Sequence, residues 1–145
     1  MNPSSANADF ADRTVRRVQG VLYHLFSDIT DVTILNLFTI RGKTPADLNS
    51  VYRKMGKKGV VCEGSDDFVR EKIEKNKSGI VIAGWGGPCG IDKDLHAERV
   101  KFYSNLLRGN SNLYRIISDK FKPSAPYPLH GRIWGYDMRP YKFSL

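Results

Sequence analysis

Polar and basic residues follow a short apolar run in the first third of the chain. The run Val32 to Leu35 is apolar and β-branched and predicts a buried strand, while Thr44-Pro45 is typical of a helix cap and first turn. Between them lie Asn36, Arg41 and Lys43. Because ligands bind where a strand of an open α/β sheet ends and helix N-termini favour anions, this stretch predicts a phosphate or carboxylate site. The alternative is a solvated loop in which Asn36 bonds its own backbone.

A second candidate stretch is the glycine-rich loop Gly84-Trp85-Gly86-Gly87-Pro88-Cys89-Gly90, which follows the predicted strand Ile80 to Ala83. Glycines allow unusual backbone conformations and let a ligand approach the main chain closely. The spacing matches neither the Walker pattern nor the dinucleotide fingerprint, so it indicates no nucleotide class. Trp85 is either a stacking platform for a ring or a core residue that closes the end of the sheet.

The C-terminal arm, residues 121–145, is rich in proline and alternates aromatic with basic side chains. The alternating residues are Tyr127, His130, Arg132, Trp134, Tyr136, Arg139 and Tyr141. Aromatic faces with interleaved arginines suit stacking on unpaired bases. The alternative is an arm whose rings pack over the edge of the core. The prolines predict little regular structure in the arm.

Composition argues against several classes of protein. Cys62 and Cys89 have no disulfide-scaffold, zinc or redox spacing, and the three histidines have no ligand spacing, so we expect no metal and no cofactor. A metal-dependent hydrolase is therefore disfavoured. No apolar run approaches the roughly 20 residues that span a bilayer, and no secretory signal is recognisable. We expect a cytoplasmic protein with no membrane partner.

Charge indicates a polyanionic partner. The formal net charge is +8 and the pI is near 9.6. Basic residues form three clusters, which are Arg13, Arg16 and Arg17; Arg53, Lys54, Lys57 and Lys58; and Arg132, Arg139 and Lys142. Such clusters are either solvated faces or binding surfaces for phosphates. We expect nucleic acid, DNA rather than RNA, or a nucleotide as the partner.

Helical and strand patterns alternate along the chain. Helices are predicted over residues 12–26, 45–55, 65–76 and 92–108, and a third strand over residues 113–117. This alternation predicts a single α/β domain over residues 1–145, built as a three-layer αβα sandwich with a mainly parallel sheet.

Several stretches together resemble one known family. They are Met1 to Ala6 with Asp12 to Arg17, Asn36-Leu37-Phe38 with Arg41 and Thr44-Pro45, Ala83 to Gly86, and Pro126 to Leu129. In order and rough spacing they are similar to the bacterial and phage family numbered 1643 among the domains of unknown function. This resemblance covers nearly the whole chain but implies no firmly assigned activity.

Two departures from that family matter. Its members usually carry a strand ahead of the Asn-Pro-Ser turn. The resemblance therefore implies either that one strand of the sheet is missing here or supplied by a partner, or that Met1 is an alternative start. The family's late motif is usually Arg-His-Pro-Leu, whereas this chain has Tyr127-Pro128-Leu129 with His130 next to it. This difference puts a catalytic role of the late histidine in doubt.

More loosely, the layout is similar to the uracil-DNA glycosylase superfamily, which implies a base and phosphate pocket at the strand ends. Candidate catalytic residues are then Asn36, Asp12 and His130, and candidate binding residues are Asn2, Ser4, Arg16, Arg41, Lys43, Trp85 and Gly86. In this hypothesis Asn36 bonds a base edge, Trp85 stacks, and Arg41 and Lys43 hold phosphate. Asp9 or Asp12 orients a water, although Asp12 also suits a helix cap.

The competing hypothesis is a non-catalytic binding protein of a phage or mobile element. A small basic domain whose sheet edge is open for pairing could bind nucleic acid or block a host protein. The two hypotheses differ in the residues that matter. A pocket depends on the polar side chains at the strand ends, whereas a binding module depends on the basic clusters and the aromatic arm.

Overall fold

The computed structural model describes residues 13–40, 44–76, 78–120 and 125–145. Helix α1 (Arg13–Leu25) buries Val18, Val21 and Leu22 along one face. Helix α2 (Pro45–Met55) begins with a capping box, in which Thr44 Oγ1 accepts from the Asp47 backbone N–H at 3.3 Å and the Thr44 N–H donates to the Asp47 carboxylate at 2.9 Å. The predicted helix 45–55 is confirmed.

Three further helices complete the helical part of the described chain. They are α3 (Lys57–Val60), α4 (Ser65–Lys75) and α5 (Lys93–Leu107). Asp92 caps α5 by accepting from the Leu95 N–H at 2.9 Å. Helices α1, α4 and α5 lie within one residue of their predicted bounds where the chain is described. The short α3 was not predicted, because four residues carry too little periodicity to be recognised.

The sheet contains β1 (Val81–Ala83), β2 (Leu113–Ile117) and β3 (Arg139–Lys142), in the order β1-β2-β3. Strands β1 and β2 are parallel with Ala83 opposite Arg115, and β2 and β3 are antiparallel with Ile116 opposite Pro140. The prediction of a mixed α/β protein is confirmed. Strand β3 was not expected in the proline-rich arm. Pro140 is compatible with it because β3 is an edge strand of the described sheet.

The segment Val32 to Leu35 does not form the predicted strand. No described strand pairs with it, although it is partly buried. The residues that follow are held instead by α5. Tyr103 Oη donates to the Asn36 carbonyl at 2.6 Å, and Arg99 Nε donates to the Leu37 carbonyl at 2.8 Å. The prediction is wrong because an apolar run predicts only that the segment is buried, whereas a strand also requires a neighbouring strand that forms hydrogen bonds with its backbone.

Opposite faces of the strands contribute to different apolar clusters. Ile82 and Ile116 pack with α1 and with Trp134. On the other face of the sheet, the side chains of Ala83 and Leu113 pack with Leu107 of α5. A third cluster joins α2 to α5 around Leu37, Phe38, Leu48 and Leu95. None of the helices in the described ranges is long and apolar enough to cross a bilayer.

The C-terminal arm combines both behaviours that the sequence left open. Trp134 is 4% exposed, packs in the core and donates through Nε1 to the Leu129 carbonyl at 3.0 Å. Tyr136, by contrast, is 63% exposed. Part of the arm therefore covers the core, and part presents its aromatic rings to solvent.

Candidate functional site

The loop between β1 and α5 has an unusual backbone. Gly86, Cys89 and Gly90 have φ values of 71°, 42° and 89°, in the left-handed region. Asn49 of α2 fixes the end of this loop, since its Nδ2 donates to the Gly90 carbonyl at 2.8 Å and its Oδ1 accepts from the Asp92 N–H at 2.9 Å. Glycine adopts positive φ readily, whereas a residue with a side chain, such as Cys89, persists there only where its surroundings enforce it, and such residues cluster at functional sites.

The late segment Tyr127 to His130 packs directly on this loop. The Gly86 N–H donates to the Pro128 carbonyl at 3.1 Å. A methyl group at Gly86 would lie 3.0 Å from Cβ of His130, so only glycine fits without displacement. The structure thus brings together two of the candidate residues, Gly86 and His130.

His130 is half-buried and accepts a hydrogen bond. Burial lowers its pKa from 6.5 to about 4, and the nearby charge of Arg132 acts in the same direction. Its Nδ1 accepts from the Arg132 backbone N–H at 3.2 Å, which leaves the proton of the neutral ring on Nε2. A general acid or base works best with a pKa near the working pH, so His130 suits hydrogen-bond donation better than proton transfer.

His96, in the first turns of α5, was not predicted as a site residue. It is 2% exposed, and its Nε2 has no hydrogen-bond partner among the described residues. Burial lowers the pKa of His96, while a hydrogen bond with the backbone of Gly86 opposes that shift. Its ring meets Tyr127 edge-on with the centroids 5.6 Å apart. Its position shortly after a glycine-rich loop was the one sequence signal that could have identified it.

Arg115, in the middle of β2, was also missed. Its side chain is buried, donates to the Ala125 carbonyl at 2.9 Å and lies 4.8 Å from the centre of the Phe143 ring. Its Nε has no described partner, and no described carboxylate pairs with it. The ring of Phe143 also contacts Trp85, at 6.4 Å between centroids. Burying a charge without a counterion is costly, so a guanidinium in this position favours an anionic ligand.

Asn36 and Trp85 both border a cavity of about 460 Å³. Trp85 is half-buried and packs against apolar clusters on the α5 side, so the core interpretation applies to part of its ring while the rest lines the cavity. The side chain of Asn36 makes no hydrogen bond to the described part of the chain.

Arg16 belongs to an exposed surface that we call the arginine face, formed by Arg13, Arg16, Arg17 and Arg132. The first three share one face of α1, at spacings of three and four residues. Arg17 donates to the Arg132 carbonyl at 3.3 Å, which joins α1 to the segment that follows His130. None of the four pairs with a described carboxylate. The first basic cluster on α1 therefore lies next to Arg132 of the third cluster, close to His130 in the chain.

The remaining candidate residues are not among those that the structure describes. Asn2, Ser4, Asp12, Arg41 and Lys43 lie outside the described residues. In the second basic cluster, Lys57 pairs with Glu98 at 2.5 Å. Among the described residues no group of three or more His, Cys, Asp or Glu side chains is arranged to hold a metal ion.

Comparison with known proteins gives one match. Neither the curated proteins nor the solved structures contain a match to this chain. A family model described as "Protein of unknown function (DUF1643)" matches residues 1–129, and this range includes the glycine-rich loop, His96 and Arg115. The chain belongs to the DUF1643 family of proteins of unknown function.

Proposed function

We propose that the protein binds a nucleotide or nucleic acid at the carboxyl end of β1, in a base and phosphate pocket like that of the uracil-DNA glycosylase superfamily. The observation that carries this proposal is a pair of buried nitrogens without partners among the described residues, His96 Nε2 and Arg115 Nε. Tyr127 touches His96, and Ala125, two residues earlier, accepts from Arg115. Buried polar atoms are nearly always satisfied in proteins, by protein groups, water or a ligand, so two unpartnered nitrogens linked by one short segment support a polar ligand site here.

The phosphate would bind at the positively charged end of this pocket. Arg115 supplies a buried guanidinium, which suits planar recognition of phosphate oxygens. His130 adds a neutral Nε2–H donor, and the arginine face continues from His130 across the surface for further phosphates. Arg41 and Lys43 are proposed as additional contacts to phosphate. Asn2 and Ser4 are proposed as further contacts to the ligand.

The base would lie at the end of the cavity that Asn36 and Trp85 border. The Asn36 amide has donors and an acceptor for a base edge, and the exposed part of the Trp85 ring offers a stacking surface. In a base-processing reaction Asp12 would orient the attacking water and Asn36 would hold the base. Water would replace the base at the sugar carbon, and His130 would donate a hydrogen bond to an oxygen of the departing base or of the phosphate rather than transfer a proton, because its pKa is too low for that.

The same proposal includes a three-layer αβα architecture with a mainly parallel sheet. One observation supports it. The alternate faces of β1 and β2 pack with α1 and with α5, respectively.

The test is binding of labelled single-stranded DNA, duplex DNA and RNA to the full chain and to three variants. Arg115→Met removes the buried guanidinium and Asn36→Ala removes the base contact. Lys142→Met is the matched control, since Lys142 also lies over a ring, that of Tyr114, and also donates to a backbone carbonyl, that of Ser111, but is exposed. Circular dichroism at the binding temperature confirms that each variant is folded.

We expect at least a tenfold loss of affinity for Arg115→Met, about 1.4 kcal/mol, and little change for Lys142→Met. Asn36→Ala should abolish the preference among bases. Equal affinities of all three variants would overturn the proposal. If Arg115→Met does not fold, Arg115→Lys replaces it, because it keeps the charge but cannot make the bidentate contact.

A second candidate function is non-catalytic binding of nucleic acid, as in a phage or mobile-element factor. The observation that favours it is the arginine face, whose four guanidinium groups have no described carboxylate partner. On this alternative, variants of the arginine face lose binding, while Asn36→Ala and Arg115→Met bind like the parent.

A further inference from the structure

Among the described aromatic residues of the C-terminal arm, Tyr136 is the most exposed. It is 63% exposed, against 46% for Tyr141 and 41% for Tyr127, whereas Trp134 is buried. A ring that is mostly open to water gains little free energy from burial of apolar surface. Hydrophobic packing therefore does not explain where this ring lies.

Tyr136 is nevertheless held in a defined place against α1. Its ring and that of His24 are perpendicular, with 5.4 Å between the centroids. An edge-to-face contact of this kind covers at most one face of a ring, so the other face of Tyr136 is open to solvent. A methyl group at Gly20 would lie 2.7 Å from the Tyr136 hydroxyl oxygen. Glycine is unfavourable inside a helix, but at position 20 any larger residue would displace this ring.

The open ring continues the arginine face along α1. Arg17, Gly20 and His24 follow one another at spacings of three and four residues and share one side of the helix. Arg132 lies at the level of Arg17, which donates to its carbonyl, and Tyr136 lies at the level of Gly20 and His24. The row of positive charges therefore ends at an aromatic ring.

This row has the length of a few nucleotides. A helix rises about 1.5 Å per residue, so Arg13 and Gly20 are about 10 Å apart along the axis of α1. Phosphates of one stacked strand are about 3.4 Å apart, so this distance spans about three nucleotides. Helix α1 contains no acidic residue, and in the arm Asp137 follows Tyr136 on the side away from Arg132 in the chain. Charge therefore favours phosphates on the arginine side of the ring.

We propose that the arginine face and Tyr136 together bind single-stranded nucleic acid, with phosphates on the arginines and an unpaired base stacked on the open face of Tyr136. Proteins that bind single strands combine a basic surface with aromatic rings in this way. A duplex keeps its bases stacked on one another, so it would contact the arginines alone. The inference rests on the proposed function, because it takes nucleic acid as the partner, and it assigns that partner as single-stranded.

The test compares three probes of equal length. They are a mixed-sequence single-stranded DNA of about 16 nucleotides, an oligomer of abasic sites with the same number of phosphates, and the duplex of the first probe. Fluorescence anisotropy measures their affinities for the full chain, for Tyr136→Leu and for Phe68→Leu. Phe68 is the matched control, since it is 51% exposed and also has a basic group near its ring, the Lys72 Nζ at 5.3 Å from the centroid.

We expect Tyr136→Leu to bind the single strand at least about fivefold more weakly than the parent, because the stacking of one base is lost. Its affinity for the abasic oligomer and for the duplex should be unchanged, since both depend on phosphates alone. Phe68→Leu should bind all three probes like the parent. Unchanged affinity of Tyr136→Leu for the single strand would overturn the proposal. Equal losses for all three probes would also overturn it, because the ring would then act only by holding the arm in place.

A rescue pair tests the position of the ring. Gly20→Ala displaces the Tyr136 hydroxyl group and should weaken binding of the single strand but not of the abasic oligomer. Adding Tyr136→Phe removes the hydroxyl oxygen, and the nearest ring carbon would then lie 3.7 Å from the new methyl group, an ordinary contact. The double variant should therefore recover the parent affinity. Undiminished affinity of Gly20→Ala, or no recovery in the double variant, would overturn the placement of the base on this ring.

The surface and the pocket fail separately in these measurements. If Tyr136→Leu loses affinity for the single strand while Asn36→Ala and Arg115→Met bind like the parent, the surface is supported and the pocket is overturned. If Arg115→Met loses affinity while Tyr136→Leu binds like the parent, the pocket is supported and the surface is overturned. Absence of binding to every probe would overturn both.

Discussion

The most informative single residues are two arginines that are buried, although arginine side chains are usually exposed. Arg99 is 1% exposed and makes a two-pronged contact with Asp66, at 2.7 and 3.0 Å, besides holding the Leu37 carbonyl. Arg115 is also buried but has no such carboxylate among the described residues. The first arginine is explained by the fold, and the second is explained best by a ligand.

His96, which is buried, and His130, which is half-buried, predict a pH dependence of stability. The pKa of each is lower in the folded protein than the ordinary value of 6.5, for His130 about 4. The unfolded chain therefore binds more protons, so the free energy of unfolding should fall as the pH is lowered from about 6.5 toward about 4. Above pH 6.5 these two histidines do not make the free energy of unfolding depend on pH.

Urea unfolding at a series of pH values measures this dependence in the parent and in His130→Asn. Asparagine does not titrate, and its side-chain oxygen can still accept from the Arg132 N–H. We expect a shallower decline in the variant, with the part due to His96 retained. Identical slopes for the two proteins would contradict the assignment of the low pKa to His130.

At the scale of elements, the β1–α5 loop and the late segment depend on each other through Gly86. Its positive φ and its contact with His130 both require glycine. Gly86→Ala should therefore cost about 1–2 kcal/mol for the left-handed backbone, with an additional cost for displacing His130.

The matched control is Gly109→Ala. Gly109 has a similar φ of 79°, but a methyl group there would meet nothing within 4 Å. Thermal or urea unfolding should show a larger loss of stability for Gly86→Ala than for Gly109→Ala. Equal losses would mean that His130 does not pack tightly on the loop.

At the scale of the whole molecule, the basic residues that produce the net charge of +8 differ in whether a described carboxylate pairs with them. Lys57 is neutralised by Glu98, whereas the arginine face lacks described carboxylate partners and lies next to the candidate site. Nucleic-acid affinity should therefore depend on salt mainly through this face. Replacing Arg13 and Arg16 by glutamine should lower the slope of log affinity against log salt by about 0.7 for each single-strand phosphate that the variant no longer neutralises.

Titrations with single-stranded DNA at several salt concentrations check this expectation. Lys54→Gln with Lys58→Gln is the control, since it removes the same number of charges from exposed positions of α2 and α3. A control that lowers the slope as much as the arginine variant would show that binding follows net charge rather than the arginine face.

The sequence by itself determined the local elements of this protein and the family to which it belongs. Capping residues and helical periodicity predicted α2, α4 and α5, and the short segment Leu113 to Ile117 was predicted as β2, because these signals arise from neighbouring residues. The glycine-rich loop was likewise recognisable from composition. The partners of these elements depend on residues far apart in the chain.

Only the tertiary structure decided those partners. It left Val32 to Leu35 without a neighbouring strand among the described residues and placed Pro140 in an edge strand. It also buried His96 and Arg115 beside the segment that packs on Gly86. Burial and pairing are properties of the assembled chain, so an ordinary helix residue and an ordinary strand residue became the best evidence for a ligand site.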